Sequence, residues 1–181
     1  MLTPTHFVDY PYSIPNIEET GDLQAFIDFH EEKALRAMLG TTLYNSFKEG
    51  LAVTPTPLTK WTDLRDGLDY SISGVEYHFK GLIETLRPYV YSKYLEENQR
   101  KVTNSGVLKR NVEKTETDDD ANRALLVAAY NEFSNNAGSP SRHENTFYGF
   151  LNENWEDYVT NFSDWIFDYP DKTEFKNQFG F

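Results

Sequence analysis

The chain has 181 residues and a mass of 21.0 kDa, enough for one domain with a sizeable core and too short for two of ordinary size. Its formal net charge of −12 argues against a dedicated duplex-DNA or anionic-membrane binder, and an aromatic content of 15% argues against an acidic disordered chain. The absence of cysteine excludes disulfides, thiolate catalysis and cysteine-ligated metal; it leaves the compartment open, with an intracellular setting the expectation.

Residues 1–21 place Pro4, Pro11 and Pro15 among Phe7, Tyr10, Tyr12 and Ile14. Proline at that density forbids a helix while the rings ask for burial, which predicts an extended N-terminal arm lying on a surface. No basic segment precedes an apolar run there, so no secretory signal is expected, and no stretch approaches the length of a membrane span.

From Asp22, the residues Leu23, Phe26, Ile27, His30, Ala34, Leu35, Met38 and Leu39 hold helical spacing, and Gly40 fits the position just past a helix end. Thr42 begins a second helical stretch with Leu43, Tyr44, Phe47 and Leu51 on one face. After Thr54-Pro55, Thr56 is placed to cap a short helix with Pro57 in its first turn, Leu58, Trp61 and Leu64 inward, and Gly67 at the end. Leu68 to Phe79 alternates around Ser73-Gly74 and reads as a small β-hairpin.

Leu82, Ile83, Leu86, Tyr89, Val90 and Tyr94 then recur at three and four residues, the pattern of a central core helix. Pro88 interrupts it and predicts a kinked but continuous helix. Past Asn98 the period stops and the cations Arg100, Lys101, Lys109, Arg110 and Lys114 gather against Glu113 alone. Asn104-Ser105-Gly106 is turn chemistry between Val102 and Val107-Leu108, so residues 99–116 read as a hairpin-like arm. On residue chemistry alone the same stretch also reads as a solvated loop kept soluble by its lysines.

Thr117 is placed to cap the next helix with Asp118, Asp119 and Asp120 in its first turn, and Ala121, Ala124, Leu125, Ala128, Ala129 and Phe133 form a small-residue face for close helix packing. Ser141 with Glu144 makes a capping-box pattern ahead of a last helix carrying Phe147, Leu151, Trp155, Tyr158, Val159 and Phe162. Residues 163–181 bring Trp165, Phe175, Phe179 and Phe181 in no regular period, a tail suited to docking on another subunit.

The expected fold is all-α: a helical bundle over residues 22–162 with one small β-hairpin, the projecting arm, and extended ends. No catalytic residue, metal site or cofactor is expected. The histidines His6, His30, His78 and His143 make no ligand pattern along the sequence, His30 reads as a packed core histidine, and no phosphate loop or nucleophile elbow occurs.

Taken in order, LRAMLGTTLYNSF, WTDLRDG, YHFKGL, LRPYVYSKYL and VTNSGVLKRN resemble a neck-protein family of tailed phages and prophages of Bacteroidetes, including crAss-like phages. That family is similar to the portal-adaptor, or head-to-tail connector, class. The resemblance runs from Asp22 to Ala137 and rests most on Leu39-Gly40, Leu43-Tyr44, Trp61, Gly67, Gly81-Leu82, Tyr91, Tyr94, Val102-Thr103 and Gly106-Val107; Pro88 departs from it. It implies a structural, non-enzymatic virion protein, assembled in the host cytoplasm as a dodecameric ring in the neck, with the portal and the next neck or tail protein as neighbours and DNA as passing cargo. The partner-binding residues expected are Arg100, Lys101, Val107, Lys109, Arg110 and Lys114 on the arm, with Trp165, Phe175, Phe179 and Phe181 on the tail. The alternative from a different class is a small helical hydrolase or ligand-binding protein, marked by a pocket with convergent polar groups.

Overall fold

A computed structural model of the chain describes residues 1–14, 20–98, 100–103, 106–109, 116–138, 145–154 and 158. The fold is all-α with small antiparallel hairpins. A 3-10 turn at Pro4–Phe7 precedes α1 (Thr20–Leu51), α2 (Thr59–Asp66), the pair β1 (Leu68–Ile72) and β2 (Val75–Phe79), and α3 (Gly81–Asn98). The arm follows as β3 (Arg100–Thr103) and β4 (Gly106–Lys109), then α4 (Glu116–Ala137) and α5 (Phe147–Glu153).

The centre is α3, against which α1, α2, α4, α5 and the N-terminal turn all pack. Its predicted stripe is inward: Leu82, Leu86 and Val90 are completely covered and Tyr89 nearly so. The helix continues through Pro88, which is itself buried. Proline removes one backbone donor and crowds the preceding turn. The helix buries hydroxyls on their own backbone carbonyls, Thr85 Oγ1 donating to the Gly81 carbonyl at 2.8 Å and Ser92 Oγ to that of Tyr89 at 2.7 Å.

Gly40 breaks α1 as its sequence position predicts, with φ of 70° and ψ of 166° inside an otherwise helical run. On either side Ile27, Leu35, Met38 and Leu39, then Leu43 and Phe47, face the core. The N-terminal segment is not the helix-free surface arm expected: Pro4–Phe7 form a 3-10 turn, and the segment lies against α1 and α3 and shares their core, with Leu2, Phe7, Tyr12 and Ile14 buried. Tyr12 meets Tyr91 edge-on at 5.5 Å, and the Arg87 guanidinium sits over the Tyr12 ring at 5.2 Å.

Expectations for three helices are corrected. The short helix α2 begins at Thr59 with Leu58 as its N-cap, so neither Thr56 nor Pro57 belongs to it. The Leu58 N–H is held by the Gly50 carbonyl at 3.2 Å, a tertiary bond that fixes where the helix starts. Helix α4 begins at Glu116, ahead of Thr117, which is therefore inside the helix and not its cap. Its buried residues are Leu126, Ala129, Phe133, Ser134 and Ala137, while Ala124, Leu125 and Ala128 are exposed. The Tyr89–Phe133 ring contact at 4.9 Å locks that phase. Helix α5 is capped by Thr146, whose hydroxyl accepts from the Gly149 N–H at 3.2 Å; Ser141 and Glu144 lie outside the described residues.

The hairpin between α2 and α3 matches its sequence signature. Ser73 (φ 52°) and Gly74 (φ 83°) both take positive φ, as a two-residue hairpin turn of the type I′ class requires. Phe79 stacks on Phe150 at 4.7 Å, and Tyr70 meets the same ring edge-on at 5.4 Å. From Phe150 the ring contacts continue through Tyr158 and Trp61 to Phe47 on α1. At the hairpin's base Gly67 and Gly81 cross so closely that neither has room for a Cβ.

Candidate interaction surface

The arm carries the charge that the remainder of the chain lacks. Residues 99–114 hold five Lys or Arg and one Glu, a net +4, so the other residues together carry −16. The predicted hairpin forms: Arg100 pairs with Lys109, Lys101 with Leu108, Val102 with Val107 and Thr103 with Gly106. Four of the expected partner-binding residues therefore come together, Arg100 and Lys101 on β3, Val107 and Lys109 on β4. Arg110, Lys114, Trp165, Phe175, Phe179 and Phe181 lie outside the described residues.

The arm contrasts with the β1–β2 hairpin, which puts Phe79 into the core. Among the described elements β3 packs appreciably only on β4 and on α3, the helix it grows from. An isolated two-stranded hairpin is marginal in water.

The arm's root is well anchored. Glu97, three residues before Arg100, accepts from His30 Nε2 across 3.2 Å, tying the end of α3 to α1. His30 is 6% exposed, packed by Phe26 at 4.4 Å and Phe29 at 5.0 Å, and its buried Nδ1 has no hydrogen-bond partner among the described residues. It is the packed core histidine that its place in the helical period predicts. Its pairing with Glu97 is invisible along the sequence, because the two are 67 positions apart. A second pairing, His78 Nδ1 with Asp69 Oδ1 at 2.6 Å, follows from the register of β1 with β2 and was open to anyone who aligned that hairpin.

Burial holds the His30 imidazole below its ordinary pKa. Glu97 pulls the other way, through a carboxylate 61% exposed and screened by water. An unfolded histidine titrates near about 6.5. Below that pH the unfolded chain binds a proton that the folded chain resists, so the stability contributed by neutral His30 is complete above it and is lost as pH falls. The thermal midpoint is thus expected to drop between about pH 7.5 and pH 5.5, and His30→Gln to flatten the slope. Equal slopes for the two proteins would assign the effect to other groups.

An open groove of about 490 Å³ lies along α1, lined by Met1, Asp28, Glu31, Glu32, Leu35 and Phe47 among others. All three of its carboxylates are engaged, Asp28 accepting from Gln24 Nε2 at 2.7 Å. Glu31 accepts from the Met1 ammonium at 3.0 Å and the Leu2 N–H at 2.6 Å, and Glu32 from Arg36 at 2.8 Å. Among the described residues no three His, Asp or Glu side chains converge as a metal site, and no helix is long and apolar enough to cross a membrane.

Residues 35–164 match the model of DUF6712, a family of unknown function. The chain belongs to that family. No curated protein and no solved structure matches it. In this DUF6712 member the matched span takes in α2, both hairpins, α3, α4 and α5, and leaves out the N-terminal segment and the tail from Trp165 onward. The basic arm and Glu97 lie within the matched span.

Proposed function

We propose that this protein is a structural subunit of a tailed-phage neck, a head-to-tail connector that assembles as a ring beneath the portal with DNA passing through its lumen. The observation that carries the reading is the arm: a basic two-stranded hairpin, rooted by His30 and Glu97, with little packing on its own strongly acidic body among the described residues. Such an element gains stability when a neighbour covers it, and assembly of identical subunits supplies one neighbour per arm. The acidic remainder suits a channel wall, because like charge keeps passing duplex from adhering. The sequence resemblance to phage neck proteins points the same way. The hydrolase or ligand-binding alternative needs free polar groups converging in the groove of α1, where Glu31 and Glu32 are already engaged.

Native mass measurement, on the purified chain alone and mixed with a portal protein, tests this. Multiples of 21.0 kDa that dissociate as salt rises are expected, since screening weakens contacts between opposite charges. A monomer under both conditions at every concentration would remove the connector reading.

A further inference from the structure

The two hairpins of this chain have complementary open edges. In β1–β2 the two-residue turn makes Ile72 and Val75 a hydrogen-bonded pair, so bonded pairs alternate from there and the backbone groups of Asp69 and Ser71 point away from β2. On the β2 side Glu76 and His78 point outward by the same alternation, and the His78 N–H is taken by Asn145 Oδ1 at 2.7 Å. On the β1 side none of the described residues bonds the backbone of Asp69 or Ser71, and both residues are exposed. By the same alternation, with Thr103 opposite Gly106, the backbone groups of Val107 and Lys109 point outward on β4.

We infer that β4 of one copy adds to the open edge of β1 in a second copy, making a four-stranded sheet that links neighbouring subunits. This rests on the assembling-subunit reading and names the partner of the arm. Charge favours the pairing: residues 68–79 carry Asp69 and Glu76 and no Lys or Arg, and the arm is the basic part of the chain. Only one antiparallel register bonds both open edges, and it sets Lys109 opposite Asp69 and Val107 opposite Ser71. Main-chain bonds then supply adhesion and the Lys–Asp pair fixes register.

The partner must be a second copy because the two edges sit at opposite ends of α3. Eighteen helical residues span about 27 Å, and a four-residue strand reaches only about 14 Å. An arm cannot return to the β1 of its own chain. A donor at one end and an acceptor at the other make the contact head-to-tail, the type that closes into rings or runs on as filaments.

The cysteine-free sequence gives a clean test. Residues opposite one another in a hydrogen-bonded antiparallel pair lie about 5.5 Å apart at Cα, within disulfide range. Under oxidation the double variant Ser71→Cys/Val107→Cys should give a ladder of covalent multimers, whereas a mixture of the two single variants should stop at dimers. Separately, Asp69→Lys and Lys109→Asp should each weaken self-association at least tenfold, and the double reversal should restore it, with circular dichroism checking that each variant folds. No ladder from a protein whose native mass is still oligomeric would overturn the strand exchange and leave the connector reading standing. A monomeric native mass would overturn both. Loss of duplex-DNA retention in Lys109→Asp with assembly unchanged would assign the arm to nucleic acid, against the inference.

Discussion

Gly67→Ala and Gly81→Ala are each expected to lower the thermal midpoint by roughly 10 °C, the equivalent of about 3–5 kcal/mol for a chain of this size. Gly67 lies at φ 92° and ψ 163°, a region essentially reserved for glycine, where a side chain costs about 1–3 kcal/mol. The second contribution is steric. A Cβ on Gly67 would stand 2.3 Å from the Phe79 carbonyl oxygen, and one on Gly81 2.5 Å from the Asp66 carbonyl carbon. Both obstacles are backbone, so no side chain can swing aside, and overpacking of this kind adds about 1–3 kcal/mol. Gly74→Ala is the internal control, because its φ of 83° is also positive while its Cβ would have nothing within 4 Å. Thermal melts of the three variants separate the contributions; a Gly67→Ala no worse than Gly74→Ala would mean that the helices do not approach this closely.

The second large effect is expected at Phe150. Its side chain is 1% exposed and touches Phe79, Tyr70 and Tyr158, joining α5 to the hairpin and to the wall of rings that ends at Phe47. Truncating a buried phenylalanine to alanine costs about 3–5 kcal/mol, from lost transfer energy and from the cavity left behind. Phe150→Leu should recover part of that. Phe29→Ala, at a ring 65% exposed, should change stability by less than about 1 kcal/mol. Urea denaturation with an unchanged slope is the measurement. A loss below about 1 kcal/mol at Phe150 would show α5 to be peripheral to the cooperative unit.

Much of this fold is legible in the sequence because local chemistry and tertiary demand agree. Gly40, Ser73-Gly74 and the stripe through Leu82, Leu86 and Val90 each carry their structural meaning within a few residues. The failures occur where a distant contact decides. The run Ala124-Leu125-Leu126-Val127-Ala128-Ala129 is apolar all the way along, so periodicity cannot tell which phase faces inward; Tyr89, on another helix, chooses Leu126, Ala129 and Phe133. Similarly Thr56 is a sound local cap, and the Gly50 carbonyl overrules it.

The arm was legible in charge and turn chemistry but not in how little the described residues support it. A strand pair with and without backing reads alike in sequence. The open edge of β1 was hidden for the same reason, since only coordinates reveal that His78 has a partner in Asn145 while the backbone of Asp69 and Ser71 has none among the described residues.

The crossing of Gly67 with Gly81 also makes the residues between them a closed detour: the chain leaves the helical body and returns to the atoms it left. The spacing of α2 from α3 is set at that crossing, whatever the length of the path beyond it. Residues spliced in at Ser73-Gly74 would lengthen the detour alone, for a loop-closure cost that grows only logarithmically with length, about 0.6 kcal/mol per doubling. Variation in chain length within the family should therefore collect at this tip, and a short epitope placed there would be displayed without disturbing the frame beneath it.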